Sequence, residues 1–220
     1  MDADTRTSPV ITIDGPAGAG KGTIACRLAE YLGWHLLDSG AIYRVVALAA
    51  LRHNLDLRAE APIAALIPSL RIEFKQGEAW LNGEVVTPAI RNEACASATS
   101  QIAALPAVRM ALLDLQRSFQ RLPGLVADGR DMGTVVFPHA THKFYLTASA
   151  EVRAERRLKQ LSEQGLSAKL SEIIQDIQAR DERDSHRAVA PLKPAADAVV
   201  IDTSSLDRDT VFAVVLQHVT

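Results

Sequence analysis

Hydrophobic and polar positions along this chain alternate between two periods. Short apolar runs, often β-branched, recur at Val10-Ile11-Thr12-Ile13, His35-Leu36-Leu37-Asp38, Leu125-Val126-Ala127-Asp128, Lys143-Phe144-Tyr145-Leu146-Thr147 and Ala198-Val199-Val200-Ile201-Asp202. Such runs are too short for helices and too continuously apolar for strands with one wet face, so they read as five core strands. Helical spacing fills the intervals, over residues 21–32, 41–52, 100–121, 150–163, 168–184 and 206–218. The alternation predicts an α/β fold in three layers, a five-stranded parallel sheet with helices on both faces. Ligands then gather at the C-terminal strand ends.

One stretch breaks the rule. Leu70-Arg71-Ile72-Glu73-Phe74 and Ala79-Trp80-Leu81 alternate strictly, and Asn82-Gly83 offers a tight turn into Glu84-Val85-Val86. This predicts a small antiparallel β lobe inserted at residues 55–97 into a single domain of residues 1–220, whose core comprises 8–54 and 98–220.

Length and composition fit this picture: 220 residues and a 48% apolar fraction suit one domain with a substantial core. A formal net charge of −2 argues against nucleic-acid binding by bulk electrostatics, so any anion must be held by locally placed groups. Cys26 and Cys95 form no disulfide or zinc pattern. Met1 to Ser8 is polar, and no run approaches the ~18 apolar residues of a membrane span. A cytoplasmic protein with reduced thiols and no membrane partner is expected.

The candidate chemistry starts where the first strand ends. Gly15-Pro16-Ala17-Gly18-Ala19-Gly20-Lys21-Gly22-Thr23 joins a buried strand to a helix. Its glycines let successive amides point inward, the helix adds its positive end, and Lys21 reaches outer phosphates. A simple tight turn needs neither the lysine nor the spacing, and a dinucleotide turn lacks its third glycine here. The general phosphate loop places Ser or Thr directly after the lysine to hold magnesium. Here Gly22 intervenes, leaving Thr23 as the candidate Mg²⁺ ligand.

Three further motifs concentrate charge near the same edge. In Asp38-Ser39-Gly40-Ala41-Ile42-Tyr43-Arg44, Ser39 reads either as a helix N-cap or as a ligand group, and Arg44 as a solvated residue or an anion contact. Asp128-Gly129-Arg130-Asp131-Met132-Gly133-Thr134 crowds charges after the third core strand. In the segment Arg180 to Arg187, Arg180, Asp184 and Arg187 are spaced to share one helical face, for a ligand or for each other.

These motifs, with Val135-Val136-Phe137-Pro138 and Ala188-Val189-Ala190-Pro191-Leu192 continuing two of them, resemble the bacterial cytidylate kinases over nearly the whole chain. The Gly-Lys-Gly-Thr ending resembles nucleoside monophosphate kinases in general. The resemblance implies ATP as phosphoryl donor and CMP or dCMP as acceptor, with Mg²⁺, in a monomeric enzyme that takes small-molecule substrates and no nucleic acid. It implies that the inserted lobe binds the monophosphate and that residues 150–187 form a helical lid. Gly15 to Thr23 would hold ATP. Arg44 and Arg130 would hold the acceptor phosphate, Ser39, Arg109, Asp131 and Arg187 the base, and Ser100, Arg180 and Asp184 the sugar.

Base chemistry agrees with that assignment. Cytosine donates from N4 and accepts at N3 and O2, so a carboxylate such as Asp131 faces the donor while arginines face the acceptors. Transfer needs positive charge and water exclusion more than a base, because the acceptor phosphate is already an anion. Lys21, Arg44 and Arg130 supply that charge. Arg153, Arg156 and Arg157 lie together near a helix start, where they either pair with Glu151 and Glu155 or reach the moving phosphoryl group; Arg157 is the catalytic candidate among them. His35, His139, His142 and His186 read as surface or packing residues. Two other readings stay open: a nucleotide-driven switch, which lacks an N-K-x-D motif here, and a kinase of a small metabolite such as shikimate, which leaves the insertion unexplained.

Overall fold

The structure, a computed structural model, describes residues 8–219 apart from Gln76 and Gln164. The polar start read at Met1 to Thr7 lies outside the described residues. The chain divides into two compact units, Met1–Leu37 with Ser118–Thr220, and Asp38–Arg117.

Strand β1 (Val10–Asp14) is buried at every position, as a central strand covered on both faces must be. Helix α1 (Lys21–Leu32) buries Ile24, Ala25, Leu28 and Ala29 along one stripe and ends at Gly33, whose left-handed backbone lets its amide reach the Ala29 and Glu30 carbonyls. There follow β2 (His35–Asp38), α2 (Ser39–Arg52), α3 (Glu60–Leu66), β3 (Ile72–Lys75), β4 (Glu78–Leu81), β5 (Glu84–Val85), α4 (Thr87–Ile90), α5 (Glu93–Ile102) and α6 (Pro106–Arg117). The chain continues through β6 (Leu125–Asp128), a π-helical turn (Met132–Val136), β7 (His142–Thr147), α7 (Ala150–Glu163), α8 (Leu170–Ser185), β8 (Val199–Asp202) and α9 (Arg208–Gln217).

The larger sheet has the order β2-β6-β1-β7-β8. Strand β1 runs parallel to β6, with Ile11 opposite Val126, and to β7, with Ile13 opposite Phe144; β7 runs parallel to β8. The expected five-stranded parallel sheet with helices therefore forms. Ile11, Ile13, Val126, Phe144, Leu146 and Ile201 pack with Ile24 and Leu28 of α1 and Val211 and Val215 of α9 into its core. Because β1, β6 and β7 point the same way, the segments beginning at Gly15 and Gly129 leave from one edge, the expected ligand edge of such a sheet.

In the second unit, β3, β4 and β5 form the expected antiparallel sheet. Asn82 and Gly83 both take positive φ, 52° and 86°, as a two-residue hairpin turn requires.

Several boundaries differ from the pattern. The helix expected over 100–121 is two helices, broken after Ile102. Pro106 starts α6, where its missing amide costs nothing, and a proline also disfavours helical backbone at the residue before it. Helix α2 begins at Ser39 instead of Ala41, because the Asp38 carboxylate accepts the Ala41 amide at 2.9 Å. Asp38, not Ser39, is thus the N-cap. The face expected to carry Arg180, Asp184 and Arg187 is cut short, since α8 ends at Ser185 and Arg187 lies beyond it.

Candidate active site

The phosphate loop keeps its shape through backbone that only glycine tolerates well. Gly15 has φ of 141°, and a Cβ there would stand 1.9 Å from the Leu146 carbonyl oxygen. Gly20 caps α1 in the left-handed region with no side-chain cap, and the first turn carries no acidic residue of its own to offset the positive end of the helix. The loop's carbonyls have partners: Lys21 Nζ donates to Pro16 O at 2.8 Å, Arg153 Nη1 to Ala17 O at 3.1 Å, and the Thr203 hydroxyl to Ala19 O at 3.1 Å. Arg153 also grips Asp181 with both Nη atoms, at 3.1 and 2.5 Å, and Arg156 bonds the Thr203 carbonyl at 2.6 Å. The suggested pairing of these arginines with Glu151 and Glu155 is therefore not what holds Arg153 and Arg156. Arg157 is half-buried on the same helix.

Lys21 is almost fully buried. Burial first, and then the neighbouring Arg130, pull its pKa down to about 7, against the favourable fields of Asp128 and Asp14. Arg180 adds a smaller repulsion. These cations repel one another, and a bound anion relieves that repulsion. Gly22, the irregular position of the motif, acquires a reason: a Cβ there would lie 3.2 Å from Asp128 Oδ2. Thr23 is exposed on the first turn.

Beyond β6, Asp131 is buried and starts the π-helical turn, with its carbonyl accepting the Val135 amide at 2.9 Å. Arg130 donates from Nε to Asp184 Oδ2 at 3.3 Å and from Nη1 to the Gly129 carbonyl at 3.2 Å. Arg187 Nη2 donates to the other oxygen of Asp184, whose side chain is only 2% exposed. Arg130, Asp184 and Arg187 are thus joined although helical spacing was not the means; the chain turns back after α8. Arg180, on the same helix, belongs to this unit too.

The second unit carries the remaining expected residues. Ser39 is buried in the first turn of α2, and its hydroxyl accepts from Gln116 Nε2 at 2.8 Å. Arg44 donates to the Ile90 carbonyl at 2.9 Å. Arg109 on α6 is buried, donates to the Ala103 carbonyl at 2.9 Å and stands 5.6 Å from the centre of the Tyr43 ring. Ser100 is buried on α5.

Asp14 is the residue that pattern reading missed. It is 4% exposed, and its two oxygens accept the Met132 and Gly133 amides at 2.8 Å each. Burial, aided by the charge of Asp131, raises its pKa to about 7; the two amides and Lys21 oppose the rise. The signal was present, since a carboxylate ending a wholly buried strand needs partners.

The raised pKa has a consequence for stability. In the folded state Asp14 keeps a proton that the unfolded chain releases near its ordinary pKa of 3.8. The resulting stabilisation is complete below that value and is lost as the pH rises through about 7. Thermal melts of wild type and Asp14→Asn should show wild type losing ground relative to the variant between about pH 4 and about pH 7 and no further change above.

A glycine-rich loop at the end of the central strand, a buried lysine and a ring of arginines and carboxylates define a phosphate-loop protein of the kinase type. The chain belongs to the cytidylate kinase family, whose sequence model matches residues 11–220. It is 56% identical over 221 aligned positions to the cytidylate kinase of Shewanella amazonensis, covering 98% of this chain and 96% of that one. The cytidylate kinase of Aeromonas hydrophila is 54% identical, covering 97% and 94%. A solved structure of an uncharacterized protein from Eubacterium ventriosum covers 96% of this chain and 98% of its own at a TM-score of 0.52 with 10% identity, a likeness of fold alone.

Proposed function

We propose that this protein transfers the γ-phosphoryl group of ATP directly, in line, to CMP or dCMP, giving ADP and CDP or dCDP. Membership of the cytidylate kinase family over residues 11–220 carries this reading. The repulsion of Lys21 by Arg130 and Arg180 supports it, because the phosphates of two nucleotides add negative charge that relieves it. The loop residues Gly15 to Thr23 hold ATP. Arg44 and Arg130 aim the acceptor phosphate; Ser39, Arg109, Asp131 and Arg187 read the base; Ser100, Arg180 and Asp184 hold the sugar. Arg157 meets the transferring group from α7. The inserted antiparallel lobe binds the monophosphate, and residues 150–187 act as the lid.

Magnesium fits the donor groups present. Asp128, set against Gly22, and Thr23 offer oxygens only, and magnesium is usually bound by one or two carboxylates, water and substrate phosphates. Among the described residues no group of three or more His, Cys, Asp and Glu forms a metal cluster. Held there by Asp128 and Thr23, Mg²⁺ would supply neutralisation of charge on the outer phosphates of the donor. No described helix is long and apolar enough to cross a membrane. The same reading makes the protein a cytoplasmic monomer.

A coupled assay of ADP release with ATP, Mg²⁺ and a panel of monophosphates tests the reading. CMP and dCMP should be the good acceptors; turnover of AMP or GMP with none of CMP or dCMP overturns it. In the same assay Asp131→Asn should lose about 10- to 100-fold in kcat/KM for CMP with KM for ATP held, since the amide presents a donor where a carboxylate accepted.

A further inference from the structure

A π-helical turn leaves its first amides without partners inside the turn. In the turn Met132–Val136 the residue at the cap position, Asp131, makes no side-chain cap. The Met132 and Gly133 amides instead go to Asp14, more than a hundred residues away in sequence, with one carboxylate oxygen for each. The approach is close on every side. A Cβ on Gly133 would lie 2.8 Å from Thr12 Oγ1 and 3.4 Å from Asp14 Oδ2, and one on Gly129 would lie 2.6 Å from the Met132 side chain. The Gly129 amide is held in turn by the Ile13 carbonyl at 3.1 Å. The backbone on both sides of Arg130 and Asp131 is thereby pinned to the last two residues of β1, immediately before Gly15.

We infer that Asp14 is a positioning residue for the acceptor side of the reaction: its carboxylate fixes Arg130 and Asp131 relative to the phosphate loop by capping the Met132 and Gly133 amides. This rests on the acceptor reading of Arg130 and Asp131 given above. Because one side chain supplies the cap from a separate strand, the Asp131 carboxylate is spared that task. Asp14 itself touches neither nucleotide in this scheme and acts through the turn.

Steady-state kinetics of Asp14→Asn separate the possibilities. Replacing one carboxylate oxygen by an NH₂ group sets a donor against a backbone donor, so the turn shifts while the loop sequence is untouched. KM for CMP should rise about tenfold or more and kcat should fall, with KM for ATP changed by less than about twofold. An equal rise in KM for ATP, or no change in either, overturns the positioning role. Wild-type enzyme that fails to phosphorylate CMP overturns instead the acceptor reading beneath it. Should the variant not fold, ¹⁵N-labelled wild type decides: the Met132 and Gly133 amide resonances should titrate together with one midpoint and both should move on adding CMP. Amides that neither titrate nor respond to CMP overturn the inference.

Discussion

Arg130→Met lowers turnover of CMP by about 10³-fold or more, in line with the loss of a cation that stabilises a transferring phosphoryl group. The side chain is one-fifth exposed, and its bonds are to Asp184 and the Gly129 carbonyl. Methionine keeps much of the apolar stem and removes only the guanidinium. Asp184 retains Arg187, so the buried carboxylate is not abandoned and the fold should persist. Removal of Arg130 also lifts the repulsion that lowers the Lys21 pKa, so ATP should bind at least as well as before. Kinetics at varied CMP, with a melting curve beside them, check both halves. A loss within about fivefold, at unchanged stability, would remove Arg130 from the phosphate site.

The largest effect on stability belongs to Gly15→Ala. Two costs add at this residue. A backbone at φ 141° resists any side chain, roughly 1–3 kcal/mol, and the new methyl meets the rigid carbonyl of Leu146 on the neighbouring strand, roughly another 1–3 kcal/mol if the strands can part. A total near 4 kcal/mol is a large share of the stability of one domain. Urea unfolding should show a midpoint far below wild type, or no folded protein at all. Gly33→Ala is the control: φ is 64°, but nothing lies within 4 Å of the added Cβ, so its cost is confined to backbone strain of about 1 kcal/mol. Equal midpoints for the two variants would refute the steric account.

Features that depend on neighbours in sequence were legible without coordinates. β2 and α7 fall where the pattern puts them, because strand burial and helical spacing are written in consecutive residues. So is the loop, whose glycines and lysine are contiguous. The break at Ala103–Leu105 had its signal in Pro106, which disfavours helical backbone just before it, but the apolar run that crosses it masked the boundary. The π-helical turn leaves no periodic trace in so short a segment. Site residues fared by the same rule. Arg130 and Asp131 stand out as charges crowded after a strand, whereas the roles of Asp14, Asp181 and Gln116 come from partners far along the chain. Ser39 was read as a possible N-cap of a helix starting near Ala41, but it lies in the first turn with its hydroxyl facing Gln116, and the capping task falls to the residue before it.

The carbonyl partners of the phosphate loop bear on what that loop refuses. The carbonyls of Pro16, Ala17 and Ala19 already accept from Lys21, Arg153 and Thr203. A ligand arriving with its own N–H groups meets fewer open carbonyls along the loop, while an anion meets amides and a helix end. The loop's discrimination therefore comes as much from lone pairs it has hidden as from the hydrogens it displays, and an arginine on α7 and a threonine after β8 are part of how it hides them.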